Sequence, residues 1–191
     1  MVTDSVDFLG GSIVTSTIRT GGTPSQEHYG GETTCSFEIL SINMTSFSIT
    51  VNLSVLIKYS ESLLSSSSFA LGTYAEYTLH DGASGGILDP CVREAVEAHE
   101  TGHAEYAVNV ICPALKSLLD LMEIRWRIQG WSEDKVRSEV VTLCHEVIVN
   151  HITRFNNAAN APTISWFNSS PEWRLVSAGG QTGTWVWAKA E

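Results

Sequence analysis

Positive charge is scarce in this sequence: 11 Lys and Arg stand against 21 Asp and Glu, for a net charge of −10. Such a surface repels polyanions, so neither nucleic acid nor an anionic lipid surface is an expected partner. Long apolar runs are also missing. No stretch reaches the roughly 18 residues a membrane span needs, and no span is expected. Cysteine is sparse, and none of Cys35, Cys91, Cys112 and Cys144 sits in a CxxC pair, which speaks against a thiolate zinc knuckle. If Cys91 and Cys112 share a helix they lie about 30 Å apart. A disulfide needs Cα atoms within about 7 Å, so the other two pairings or free thiols stay open. The opening MVTDSVDFLGG has no basic segment followed by an apolar one and does not read as a signal peptide. Two expectations follow from that: an intracellular protein, or a secreted or extracytoplasmic one whose signal has been removed.

What the chain does have is enough apolar content, 43% over 191 residues, for one domain with a real core. Its texture changes near residue 89. Before that point Ser, Thr and Gly abound. Residues 1–34 read as an edge strand with mobile loops. Residues 35–88 form a β-rich part, with strands expected at 36–41, 46–59 and 73–80. In the second of these, Phe47, Ile49, Val51, Leu53, Val55 and Ile57 alternate with smaller or polar residues, the period of a half-buried strand. The short link INMT suits a hairpin.

From 89 to 158 the period becomes helical. Asp89-Pro90 reads as a helix start, with Asp as cap and Pro at the first helical position. Val92, Ala95, Val96, His99, His103, Tyr106 and Ala107 then fall on one face. The pattern runs to about Arg127, with a kink expected at Pro113 and a stop at Gly130. Ser132 is placed to cap a second helix to about Asn156, whose inward stripe runs from Val136 to His151 and Phe155. The tail, 159–191, is rich in Trp and reads as loop with a final strand or hairpin; Trp185 and Trp187 are expected on one face of it. The whole is an α+β fold: a small antiparallel sheet packed on two long helices.

The chemistry concentrates at HETGH, residues 99–103. Positions i and i+4 of a helix lie on one face about a turn apart, so His99 and His103 can hold one Zn2+ between their rings. Glu100 sits about 100° round the helix, beside such an ion rather than on it. There it can take a proton from an activated water and pass it to a leaving amine. Gly102 would leave room beside the metal.

HETGH in a strand-then-helix setting resembles the zincin metallopeptidases. The wider layout, over roughly residues 35 to 160, is similar to an uncharacterised bacterial family of predicted secreted zinc-dependent proteases. The resemblance implies a single zincin-like domain, a peptide or protein substrate, His99 and His103 as metal ligands and Glu100 as general base. It also implies that the strand at 73–80 is the edge strand on which extended substrate pairs. That family carries a His-Gly where this chain reads Asn160-Ala161-Pro162.

A catalytic zinc takes three protein ligands and keeps one position open. His151 lies near the centre of the inward stripe of the second helix and is the leading third ligand. Glu123 is the rival, 20 residues after His103. His80, His28, other carboxylates or a two-histidine site complete the choices. His145 and Glu146 point toward solvent and drop out. Tyr74, Tyr77, Tyr106 and His80 are possible oxyanion donors, none of them assigned. The competing functional reading is a metal-binding or protein-interaction module that keeps such a helix without turnover; hydrolysis of a non-peptide bond is a third.

Overall fold

The computed structural model describes residues 2–8, 11–21, 24, 30–59, 74–79, 88–89, 93–179 and 183–190. The fold is α+β, with long helices and two small sheets rather than one. The first sheet has strand order β1-β2-β4-β3, where β1 is Val2–Phe8, β2 Gly11–Gly21, β3 Gly31–Asn43 and β4 Ser48–Tyr59. The second has order β6-β5-β8-β7, with β5 Tyr74–Thr78, β6 Leu88–Asp89, β7 Trp173–Ser177 and β8 Thr184–Lys189. The expected loop at 60–68 and the turn at Asp81-Gly82 lie outside the described residues.

Among the described residues, five helical segments follow β6: α1 Arg93–Tyr106, a π-helical turn Ala107–Ile111, α2 Cys112–Gln129, α3 Glu133–Asn157 and α4 Asn160–Ser169. Asp89 is a strand residue opposite Glu76, and α1 is described from Arg93, so the expected helix start at Pro90 lies outside the described residues. Pro113 sits in the first turn of α2. Its ring would clash with a carbonyl four residues back in a regular helix. The chain inserts a π turn just ahead of it, with the Cys112 N–H bonded to Ala107 O. The helix ends as expected at Gly130, which takes a left-handed φ of 63° and returns its N–H to Trp126 O. Ser132 caps α3 by accepting from Lys135 N–H.

The residues divide into two compact units. The first contains residues 1–18, 34–56 and 106–151. In it the expected alternation holds: Phe47, Ile49, Val51, Leu53 and Val55 are all buried, with the intervening residues half-exposed. Residues 44–47 make the hairpin turn, with Asn43 Oδ1 accepting from Thr45 N–H and Ser46 N–H. Phe47 leaves that turn at φ 46°, unusual for a residue with a Cβ. Its ring is stacked on Trp126 at 4.6 Å, which helps offset the backbone strain. Leu115, Leu119, Met122, Val136, Val140 and Cys144 are buried in the same unit. Cys35, Cys112 and Cys144 are free thiols, and burial pushes Cys35 up to about 11 and Cys144 up to about 12; Cys91 lies outside the described residues.

The second unit contains residues 19–33, 57–105 and 152–191. Its core is aromatic: Ala75, Tyr77, Ala95, Phe167, Trp173 and Trp187. Phe167 stacks on Trp187 at 4.4 Å and meets Trp173 edge-on at 5.5 Å. Trp185 and Trp187 share one face of β8, as the alternation predicts, with rings stacked at 6.0 Å. Two features here depart from expectation. The tail contributes a ten-residue helix, α4, ahead of the hairpin β7–β8 that was expected there. And β5 is an interior strand: β8 pairs with it from Tyr74 to Thr78 and β6 pairs at Glu76 and Tyr77. The expectation of an edge strand free to pair with substrate at 73–80 is therefore corrected. Residues 76–77 already have a neighbour on each side.

Candidate metal centre

HETGH lies within α1, and the described partners of its side chains named below belong to the second unit. Helical spacing puts the two imidazoles edge to face, with centroids 4.8 Å apart and planes at 84°. Their Nε2 atoms point at each other across 3.2 Å. Two nitrogens bound to one tetrahedral zinc at about 2.0–2.1 Å lie roughly 3.3 Å apart. The pair therefore has the separation that a shared metal ion requires.

The far side of each ring is anchored. His103 Nδ1 is 2.7 Å from the carbonyl oxygen of Phe155, which can only accept, so the proton sits on Nδ1 and the Nε2 lone pair faces His99. Its ring also stacks on Phe155 at 5.0 Å. His99 Nδ1 is 3.0 Å from Thr163 Oγ1 and 3.4 Å from the Tyr77 hydroxyl. Metal-binding histidines are held in this way, by an oxygen on the ring nitrogen that does not touch the ion.

Gly102 does not open space beside a metal. A Cβ there would lie 2.9 Å from Pro162 Cγ and 3.0 Å from both Ala158 O and Ala159 Cα. The glycine lets the turn between α3 and α4 close onto α1, which brings Phe155 and Thr163 to the two rings. Two of those three atoms are backbone and cannot swing aside. Gly102→Ala is thus expected to destabilise the protein by about 1–3 kcal/mol, overpacking outweighing alanine's better helix propensity. A urea midpoint that stays put or rises would show that the turn has slack.

Glu100 is 4% exposed. Thr33 Oγ1 donates to its Oε2 at 2.5 Å. Burial raises its carboxyl to about 7; the Thr33 bond opposes that shift and the charge of Glu32 adds to it. Gly31 faces the same carboxylate, and a Cβ at that position would come within 2.7 Å of Oε1. The start of β3 thus fixes where this carboxyl group lies. Sequence reasoning did not find Thr33 or Gly31, whose only signal was their place at the start of a strand.

His151 is half-buried, and its Nδ1 is hydrogen-bonded to the Tyr106 hydroxyl at 2.9 Å. Glu123 is buried and its Oε1 takes two bonds from Arg127, at 3.0 and 2.7 Å, so it is not a solvated residue on a helix face. His145 and Glu146 are exposed, as expected. Tyr77 is fully buried and gives its proton to Asn160 Oδ1 at 2.6 Å. That commits it away from oxyanion binding. His28 and His80 lie outside the described residues. Among the described residues, no group of three or more His, Cys, Asp or Glu side chains is gathered to hold a metal ion. An open groove of about 400 Å³ runs along another side of α1, lined by Glu94, Glu97, Glu105 and Trp166 with none of the three HETGH site residues.

No protein-family model, curated protein or solved structure matches this chain.

Proposed function

We propose that this protein is a zinc-dependent hydrolase, most directly a peptidase, with His99 and His103 as metal ligands and Glu100 as general base. The observation that carries the reading is the opposed Nε2 pair at 3.2 Å, with oxygen partners on both Nδ1 atoms. Two neutral imidazoles with that separation suit a divalent cation, which joins groups whose lone pairs would otherwise repel. When bound, zinc supplies Lewis acidity and makes water nucleophilic near neutral pH. The protein's own part is then a proton transfer. Glu100 accepts a proton at a carboxylate oxygen and returns it to the departing amine, while Thr33 and Gly31 hold the carboxyl in place. The proposed ligand set is limited to His99 and His103, since among the described residues no group of three or more His, Cys, Asp or Glu side chains is gathered.

The burial of Glu100 and its bond to Thr33 favour a second reading, a metal-binding module without turnover. Both readings require the same ion.

The test is metal binding by purified protein after chelator treatment and reloading. One zinc per chain is expected. His99→Ala and His103→Ala should each remove a ligand outright and weaken binding by more than the 10–100-fold typical of losing an outer-shell partner. His151→Ala should leave it close to wild type. Because imidazole must be neutral to bind, zinc should also be released on acidification below about pH 6. Undiminished binding in the His99→Ala, His103→Ala double variant would remove the basis of the proposal.

A further inference from the structure

The two hydroxyl groups facing His99 have each given their single proton elsewhere. Thr163 Oγ1 donates to the carbonyl of Ala159 at 2.7 Å, a bond back along its own helix turn, and the side chain is fully buried. Tyr77 donates to Asn160 Oδ1 at 2.6 Å. What both turn toward His99 Nδ1, at 3.0 and 3.4 Å, is oxygen lone pairs. A ring nitrogen meeting two acceptors is favoured as the donor.

We infer that Thr163, supported by Tyr77, is a positioning residue that fixes His99 as the Nδ1–H tautomer, leaving its Nε2 lone pair aimed at His103. The role in metal binding rests on the function proposed above; the tautomer itself does not. The competing arrangement has the proton on His99 Nε2, donated across the 3.2 Å gap to His103 Nε2. That form turns a third lone pair, from Nδ1, toward the two hydroxyl oxygens. It also places a proton where a metal would have to sit. Thr163 therefore prepays part of the cost of opening the site, by holding the ring in the form that metal needs. Neither Thr163 nor Tyr77 belongs to HETGH, and α4 is the element that carries Thr163.

Two measurements test this. The first uses the unaltered, metal-free protein at mildly alkaline pH, with nitrogen resonances of the histidine rings resolved by NMR. His99 is expected to show a protonated Nδ1 and an unprotonated Nε2. A protonated Nε2 would overturn the inference whether or not the protein binds metal. The second is zinc affinity, by competition with a chromophoric chelator. Thr163→Val keeps the shape, and Ala159 O keeps the Thr163 backbone N–H that it accepts at 3.1 Å. It should weaken zinc by about 10–100-fold, the usual effect of losing an outer partner of a ligand. Thr163→Ser, which restores the hydroxyl, should return the wild-type value. Wild-type affinity in Thr163→Val would refute the positioning role while leaving the metal site standing. Loss of zinc from the unaltered protein would instead refute the proposed function, with the tautomer still decided by NMR.

Discussion

Glu100→Gln is expected to leave zinc bound and to lower peptide hydrolysis by roughly a hundred- to ten-thousand-fold, the range general acid–base catalysis supplies. Glutamine has nearly the same shape, so it fits beneath Gly31, where the fit is already tight. Its amide oxygen can still accept the Thr33 hydroxyl that now bonds Oε2. What the amide cannot do is take up and return a proton. The variant thus separates chemistry from architecture. Retained metal with lost turnover supports the peptidase reading. Retained metal with no turnover in the wild type, on an unfolded protein substrate, supports the module without turnover. Full activity in Glu100→Gln would refute the role given to this carboxyl group.

Trp187→Ala is expected to cost about 3–5 kcal/mol of stability, the largest effect foreseen for a residue that touches no proposed ligand. Trp187 is fully buried, stacked on Phe167, and bonded from Nε1 to Asn168 Oδ1 at 3.0 Å. A typical domain has only about 5–15 kcal/mol in hand. The loss should therefore appear as a large fall in the denaturant midpoint, and Trp187→Phe should recover part of it. Tyr77 belongs to the same cluster, and its hydroxyl is part of the His99 surroundings. Zinc affinity should fall together with stability. A midpoint within the experimental error of wild type would show that this cluster is not a stability core.

Parts of this arrangement were legible in the residues. Period-two alternation from Phe47 to Ile57 marks β4, because each buried position is a large apolar side chain and the outward ones from Ser48 to Ser54 are smaller and polar. Gly130 and Ser132 mark the helix boundary, since each supplies a conformation or an acceptor its neighbours lack. The pairing of His99 with His103 follows from helix geometry alone. The rest depends on distant partners. No local pattern says that β5 pairs with β8, more than a hundred positions along, so its interior place in the sheet was hidden. The helix α4 has no side-chain cap and opens on Asn160-Ala161-Pro162, which reads as loop. Proline is tolerated in a first helical turn, and a reading by breakers misses that. Thr163 was missed with it. The same blindness applies to His151: its position on an inward stripe is visible, but not the Tyr106 hydroxyl that receives it.

The partners of the proposed centre are far apart along the chain. Thr33 and Glu100 are separated by 67 positions, His99 and Thr163 by 64, His103 and Phe155 by 52, Tyr77 and Asn160 by 83. Contacts of such span form late, after the entropy of closing long loops has been met. During synthesis the two histidines leave the ribosome well before the segment that steadies them, so a nascent chain should be a poor competitor for zinc in the cell. If the proposed ion binds, its loading would report that these distant contacts have formed.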